Sequence, residues 1–362
     1  MGKRAHCLAA ALLGVWSVAC SGGPPASRTE IPAVAGQTLE QRLYEGAKKE
    51  GKLVWWFGSP AAEANEFIKA FQAHYPEIQF DYDVGDAGNI LQKFMLEVQA
   101  KKVSVDIMNV DQYAPVRALD AAADLSDIAT EMNLAPHLIT ADKKALQITF
   151  TVDGIGYNTN LVKPADIPRT WTDILDPKWK GSFTIEQRLA TFTNFTDIPE
   201  YNGTRPGLWS EEKMADFLAR VKAQNPRIVN SHVNASNQLA AGETPLIFGV
   251  HLNSFRRPQA AGAPIDWAPL DTNIVDSTVN ILAKDAPHPN AGRLFYLWSL
   301  SPEGMKVWDD IRQQGDPTPG SGSSVAKYLE ERGIKPVFAG FEIQNNVVRL
   351  QKKYRDVLGI PS

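Results

Sequence analysis

Between residues 52 and 110 the chain repeats one pattern: a short apolar run, a polar turn, then a stretch with helical periodicity. Lys52–Phe57 (KLVWWF) is a continuous run of strand formers, as expected of a strand covered on both faces. Gly58-Ser59-Pro60 turns into a helical stretch with Ala64, Phe67, Ile68, Phe71 and Tyr75 on one side. A second run at 80–84 and the turn 85–89 lead into a helix with Leu91, Phe94, Met95 and Val98 inward. A third run at 106–110 (DIMNV) begins the pattern again. Strands alternating with helices predict an α/β fold with a mainly parallel sheet flanked by helices. In such sheets the ligand crevice lies beyond the carboxyl ends of the strands. The residues there are Ser59, Gly88, Asn89, Asp111 and Gln112. Ser59 and Asn89 also read as helix caps, a role compatible with facing a ligand. Trp55 and Trp56 point to opposite faces of their strand, so the pair reads as core packing.

The logic recurs further on. Residues 181–186 (GSFTIE) start a second sheet and lead into Gln187, Arg188 and Thr191. Glu211–Ala223 is an amphipathic helix with Met214, Phe217, Leu218 and Val221 on one side. Residues 230–242 hold Asn234, Ser236 and Asn237, with a Ser/Asn pair that reads as a helix cap. Residues 245–250 (PLIFGV) form another buried run, followed by His251 and Asn253. Residues 278–283 are a late strand, Ser301-Pro302 opens a helix, and helical material at 342–358 closes the chain. Its 362 residues suffice for two domains with real cores. A hydrophobic share of 44% and a charged share of 22% fit a globular body. The net charge of −4, with no Lys/Arg-rich run, argues against nucleic-acid binding.

Residues 149–181 join the two parts. They open as a strand, break over Gly154 and Gly156, and continue through a Pro-spaced segment and a short helix at 170–175. Two glycines in an extended run suggest a bend, so Gly154 and Gly156 are expected at a hinge. The run Tyr157-Asn158-Thr159, Leu161-Val162-Lys163-Pro164, Pro168, Thr170-Trp171 and Asp173 through Gly181 resembles the crossover segment of bacterial extracellular solute-binding proteins. Pro289-Asn290-Ala291 and Leu300-Ser301-Pro302-Glu303-Gly304 add a second family-like signature. The subgroup it resembles is the ferric-iron-type binding proteins of ABC importers with their non-iron relatives.

That resemblance spans about residues 40 to 310 and implies a two-lobed type II periplasmic-binding-protein fold. Each lobe is then a mixed sheet flanked by helices, and two hinge strands join them. Residues 38–153 with 276–335 would form one lobe, and 154–275 with 336–362 the other. The implied partners are a small-molecule solute and ABC permease subunits, with the receptor a monomer and no cofactor. The ligand residues expected from the second lobe are Glu186, Gln187, Arg188, Thr191, Asn234, Ser236, Asn237, His251 and Asn253.

Arg188 carries the most weight, because a guanidinium can pair two-pronged with a carboxylate or phosphate; the alternative is a surface arginine beside Glu186. Ferric-binding relatives hold the metal with adjacent tyrosines just past the strand resembling 245–250. Here that place reads His251-Leu252-Asn253-Ser254-Phe255, so no bound metal is expected. A lone His251 reads as a hydrogen-bonding residue. A small polar, anionic solute fits Asn, Ser, Thr and Arg. A ferric chelate stays open, and so does a cationic amine, through Glu186, Asp86 and Asp111 with Tyr113 or Phe255 as walls. No G-x-S-x-G, H-E-x-x-H or P-loop pattern is present. An exported glycoside-type hydrolase would need Glu186 and Asp111 face to face.

The start of the chain reads as an export signal over residues 1–19, with Lys3-Arg4 before the apolar run 7–19. Cys20 after Ser17-Val18-Ala19 resembles a lipoprotein box, which implies a lipid anchor at Cys20 and a tether over 20–37. Plain cleavage after Ala19 is the alternative. Only Cys7 and Cys20 exist, so no disulfide is expected in the mature body.

Overall fold

The structure, a computed structural model, describes residues 36–361 other than 59, 86, 111 and 199–206. Cys20 and the expected signal therefore lie outside the described residues, as do Ser59 and Asp111. The described strands are β1 (Lys52–Phe57), β2 (Gln79–Val84), β3 (Ile107–Val110), β4 (Phe150–Asn158), β5 (Phe183–Glu186), β6 (Thr196–Asp197), β7 (Trp209–Ser210), β8 (Arg227–Val229), β9 (Leu246–His251), β10 (Ile265–Trp267), β11 (Asn273–Ser277), β12 (Val279–Leu282) and β13 (Pro336–Phe338). They build two main sheets, and β6 with β7 makes a short separate pair.

The smaller sheet has the order β12-β3-β1-β2, with β1, β2 and β3 parallel and β12 antiparallel to β3. KLVWWF sits inside it because its side chains are apolar on both faces. Trp55 enters the core under the helices Ala61–His74 and Pro289–Ser299, and Trp56 the core on the opposite face. The outer strand β2 alternates instead: Asp81 and Asp83 are exposed, and Lys52 and Lys93 pair with them at 3.0 Å. Charges on an edge strand discourage pairing with another chain.

The larger sheet has the order β13-β11-β4-β9-β5-β8, with β10 also beside β4. Strands β5, β8 and β9 are parallel to one another, and β4 runs against β9 and β11. One face is covered by a core around Phe183, Phe248, Phe217 and Trp171, the other by Phe255, Trp267 and Val325. The chain passes from the smaller sheet to the larger at Thr149 and returns across Thr278 alone, between β11 and β12. A third passage runs between the helices Pro302–Arg312 and Ser324–Glu330. Trp308 on the former belongs to the smaller sheet's core, and Val325, Tyr328 and Leu329 on the latter to the larger sheet's core. Residues 324–334 thus pack with the larger sheet, where the sequence reading put everything up to 335 with the smaller one.

Gly154 and Gly156 lie in β4, whose ladder with β9 shifts register between Gly154 and Ile155. Both are buried inside β4, within the larger sheet and away from the passage between sheets. A Cβ on Gly154 would lie 2.5 Å from the Trp267 ring and 2.6 Å from Asn273; one on Gly156 would lie 2.9 Å from Phe255. These glycines let large neighbours approach the backbone, the other use of glycine in a strand. The segment read as a short helix at 170–175 is a 3-10 turn, Trp171–Leu175, closed by a reciprocal Thr170–Asp173 capping box.

Candidate ligand-binding site

The parallel strands of the larger sheet end side by side at Glu186, Val229 and His251, on the edge where the chain crosses to the smaller sheet. Glu186 is 2% exposed. The chain turns sharply after it, with Leu189 in the left-handed conformation (φ 60°) before the helix Ala190–Asn194. That turn folds Arg188 back: its backbone N–H donates to Glu186 Oε2 and its Nε to Glu186 Oε1, both at 3.0 Å. The two terminal guanidinium nitrogens make no hydrogen bond among the described residues, and the side chain is 56% exposed.

Behind this pair lie two stacked imidazoles. His232 opens the helix His232–Ala240, which Ser231 caps by accepting from the Asn234 N–H at 3.0 Å. Its Nε2 is 3.8 Å from Glu186 Oε2, and its ring stacks on His251 at a centroid distance of 3.5 Å. His251 Nε2 in turn lies 3.4 Å from Asp153 Oδ1. The two are direct cross-strand partners in the β4–β9 ladder, so their side chains share a face. Thr191 packs over Gly249, whose φ of +74° and 3.2 Å spacing leave no comfortable room for a Cβ. Ser236 sits one turn beyond His232 on the same helix face.

Several buried polar atoms here have no hydrogen-bond partner: both nitrogens of His232, His251 Nε2, both carboxylate oxygens of Asp153, Thr191 Oγ1 and Ser236 Oγ. Burying charge unpaired is costly, so such groups shed it. Burial lowers His232, helped by His251 and Arg188, and burial with the Arg188 charge lowers His251. Burial and the Asp276 carboxylate push Asp153 well above the usual carboxylate range, against a weaker pull from Thr191. Burial also raises Glu186, with Arg188 opposing it. The arrangement is a neutral imidazole pair between two acids, topped by one outward-facing guanidinium.

Of the residues singled out from the sequence, Glu186, Arg188, Thr191, Ser236 and His251 converge here, and Asn253 stands two residues past His251. Gln187, Asn234 and Asn237 go elsewhere. Asn234 and Asn237 are exposed on the outer face of their helix, while His232, Ala235, Ser236 and Leu239 face in. With Gln187, Asn230 and Gln238 they line a separate 640 Å³ groove beside the edge strand β8. The cap of that helix is Ser231, and the Ser/Asn pair at 234–237 is mid-helix. On the smaller sheet, Gly88 and Asn89 fall in the first turn of the helix Ala87–Gln99 rather than before it, with Asn89 exposed. Gln112 is half-buried just past β3. Sequence reasoning missed Asp153 and His232. The available signal was an acid inside the apolar strand 149–157, a placement rare without a specific environment.

A contact away from this site joins the two halves. Glu63, in the first turn of the helix Ala61–His74, accepts from Arg257 of the larger half at 3.0 Å and lies 3.4 Å from Arg312. Among the described residues, no group of three or more His, Cys, Asp or Glu is arranged to hold a metal ion. None of their helices is long and apolar enough to cross a membrane.

Two α/β halves joined by three passages, with a polar group on the carboxyl edge of the larger sheet, define the type II periplasmic-binding-protein fold. Residues 66–327 match the model of a family described as bacterial extracellular solute-binding protein, and the chain belongs to that family. Over 169 residues it is 29% identical to an uncharacterized protein of Haemophilus influenzae, a match of 45% of this chain and 46% of that one. The chain thus aligns with about half the length of that curated relative. Iron-bound HitA from Pseudomonas aeruginosa shares the fold at TM-score 0.65 and 18% identity, over 84% of this chain and 99% of that one. The Atu4243 GABA receptor does so at 0.67 and 15%, over 85% and 97%. AfuA from Actinobacillus pleuropneumoniae, with fructose-6-phosphate bound, does so at 0.63 and 18%, over 86% and 99%.

Proposed function

We propose that the protein is the solute receptor of an ABC importer, holding a small polar anion between its halves and delivering it to the permease. The observation that supports this reading is the posture of Arg188. Glu186 holds the guanidinium by Nε, which leaves both terminal nitrogens aimed outward as a fork for a carboxylate or phosphate. Solved proteins of this fold hold iron, GABA or a sugar phosphate, so the fold does not choose the solute. The residues past β9 offer no phenolate, and direct capture of bare ferric ion is disfavoured. A lipid at Cys20 would keep the receptor beside its permease.

The test is a thermal-shift panel on residues 21–362, unfolded and refolded to strip carried-over solute. The panel holds dicarboxylates, sugar phosphates, ferric citrate, GABA, polyamines and neutral sugars. A true solute at 100-fold excess over Kd stabilises by about 2.7 kcal/mol. The expected responders are anions, recovered unchanged, and Arg188→Ala abolishes the response. A response to polyamines alone, or an unaltered response in Arg188→Ala, overturns the reading. Conversion of a saccharide would establish a hydrolase instead.

A further inference from the structure

The Arg188 site backs onto four titratable side chains in unbroken sequence, and the function proposed above uses only the first. Glu186, His232, His251 and Asp153 come from β5, the helix His232–Ala240, β9 and β4, and successive members are 3.8 Å apart, stacked at 3.5 Å, and 3.4 Å apart. Glu186 and Asp153 are 2% and 0% exposed, and His232 is 4% exposed. Charged groups facing this chain are Arg188, after β5, and Asp276, on β11; the helix Ala190–Asn194 contributes the Thr191 hydroxyl.

We propose that these four side chains are one proton-binding unit whose occupancy is set by the charge at Arg188, so that an anion neutralising the guanidinium is captured together with a proton. The inference rests on the anion reading of the site. Atoms balance simply: the solute's negative charge engages Arg188, Glu186 loses part of its counter-charge, and a proton from solvent joins the Glu186–His232 end of the unit. Both effects of Arg188 have the same sign. It holds the Glu186 carboxyl down by pairing and holds the two imidazoles down by repulsion. Cancelling its charge therefore favours protonation at every member it acts on. Glu186 and His232 are buried and feel the charge directly, while the half-exposed Arg188 and partly exposed His251 screen part of it.

The linkage can be read without knowing the solute. Protein with 13C-labelled histidine rings is titrated by NMR, with signals assigned through His232→Gln and His251→Gln. In the wild type both rings are expected to stay neutral down to pH 5. Arg188→Gln, which removes the charge as a bound anion would, should raise the midpoint of at least one ring by about one unit, the scale of a charge at a few ångströms. Arg188→Lys keeps the charge and should restore wild-type behaviour, which separates charge from packing. Rings titrating near the ordinary histidine value in the wild type, or midpoints identical in wild type and Arg188→Gln, overturn the proposal. Citrate and inorganic phosphate serve as probes in a second arm, with calorimetry in two buffers of different ionisation enthalpy. Run at a pH midway between the ring midpoints of wild type and Arg188→Gln, binding is expected to take up about half a proton per anion for a one-unit shift, and no uptake at that pH contradicts the linkage. If neither these probes nor any anion of the thermal-shift panel binds while Arg188→Gln still moves the rings, the coupling stands and the anion reading of the site is what fails.

Discussion

His232 and Asp153 should make stability depend on pH in opposite senses. His232 is held below the usual imidazole range by burial, so below about pH 6.5 the unfolded chain binds a proton that the folded protein refuses. Its contribution is therefore present above that pH and lost as pH falls, by up to about 1.4 kcal/mol per pH unit. Urea unfolding at pH 7.5 and 5.5 should show a loss in the wild type that is smaller by about 1 kcal/mol in His232→Gln. Asp153 is raised by burial, so its stabilisation is present at low pH and lost as pH climbs from about 4 through its folded value. Asp153→Asn is expected to gain on the wild type from pH 5 to pH 8. A constant difference between the two across that range would mean that folded Asp153 is ionised from pH 5 upward like the unfolded chain, and that burial does not raise it.

Strand β4 decides how the larger sheet packs. Its nine residues are all buried, and at Gly156 the Phe255 ring occupies the place of a side chain. Gly156→Ala should cost about 1–3 kcal/mol in urea unfolding, as overpacking of a tight core does. A neutral result would reinstate the glycine as a bend. The β-loop-α pattern was legible because apolar periodicity reports which faces are covered, and KLVWWF, 80–84 and 245–250 all became strands. A glycine in a strand marks a bend or a close approach; the ladder shifts register between Gly154 and Ile155, and the rings that approach, Trp267 and Phe255, are over a hundred and about a hundred residues away, which sequence alone does not show. At the site, Glu186 and His251 were legible from their positions at strand ends, and Arg188 from its place just past one. Asp153 was not, because its meaning depends on cross-strand pairing with His251. Asn234 and Ser236 looked equivalent in sequence, and only the helix start at His232 sends one outward and the other in.

At the scale of the whole molecule, the Glu63–Arg257 contact joins the two halves, and Phe341 packs against a core of the smaller sheet. Arg312, mostly buried and lying over the Phe57 ring, depends on Glu63 for its counter-charge, whereas Arg257 is 62% exposed. Glu63→Gln should therefore destabilise by about 1–3 kcal/mol, through the stranded Arg312. Arg257→Ala should cost under about 1 kcal/mol, as exposed pairs do, while freeing the halves to separate. Scattering of Arg257→Ala should show a larger radius of gyration without solute and the wild-type value with it; equal radii would mean the contact does not hold the halves together. The most direct measurement is a crystal structure with the best-binding anion from the panel. The expected density places its carboxylate or phosphate within hydrogen-bond distance of both terminal nitrogens of Arg188, between the two sheets. Density in the amide-lined groove beside β8 instead, with Arg188 still bonded only to Glu186, would contradict the assignment of the site.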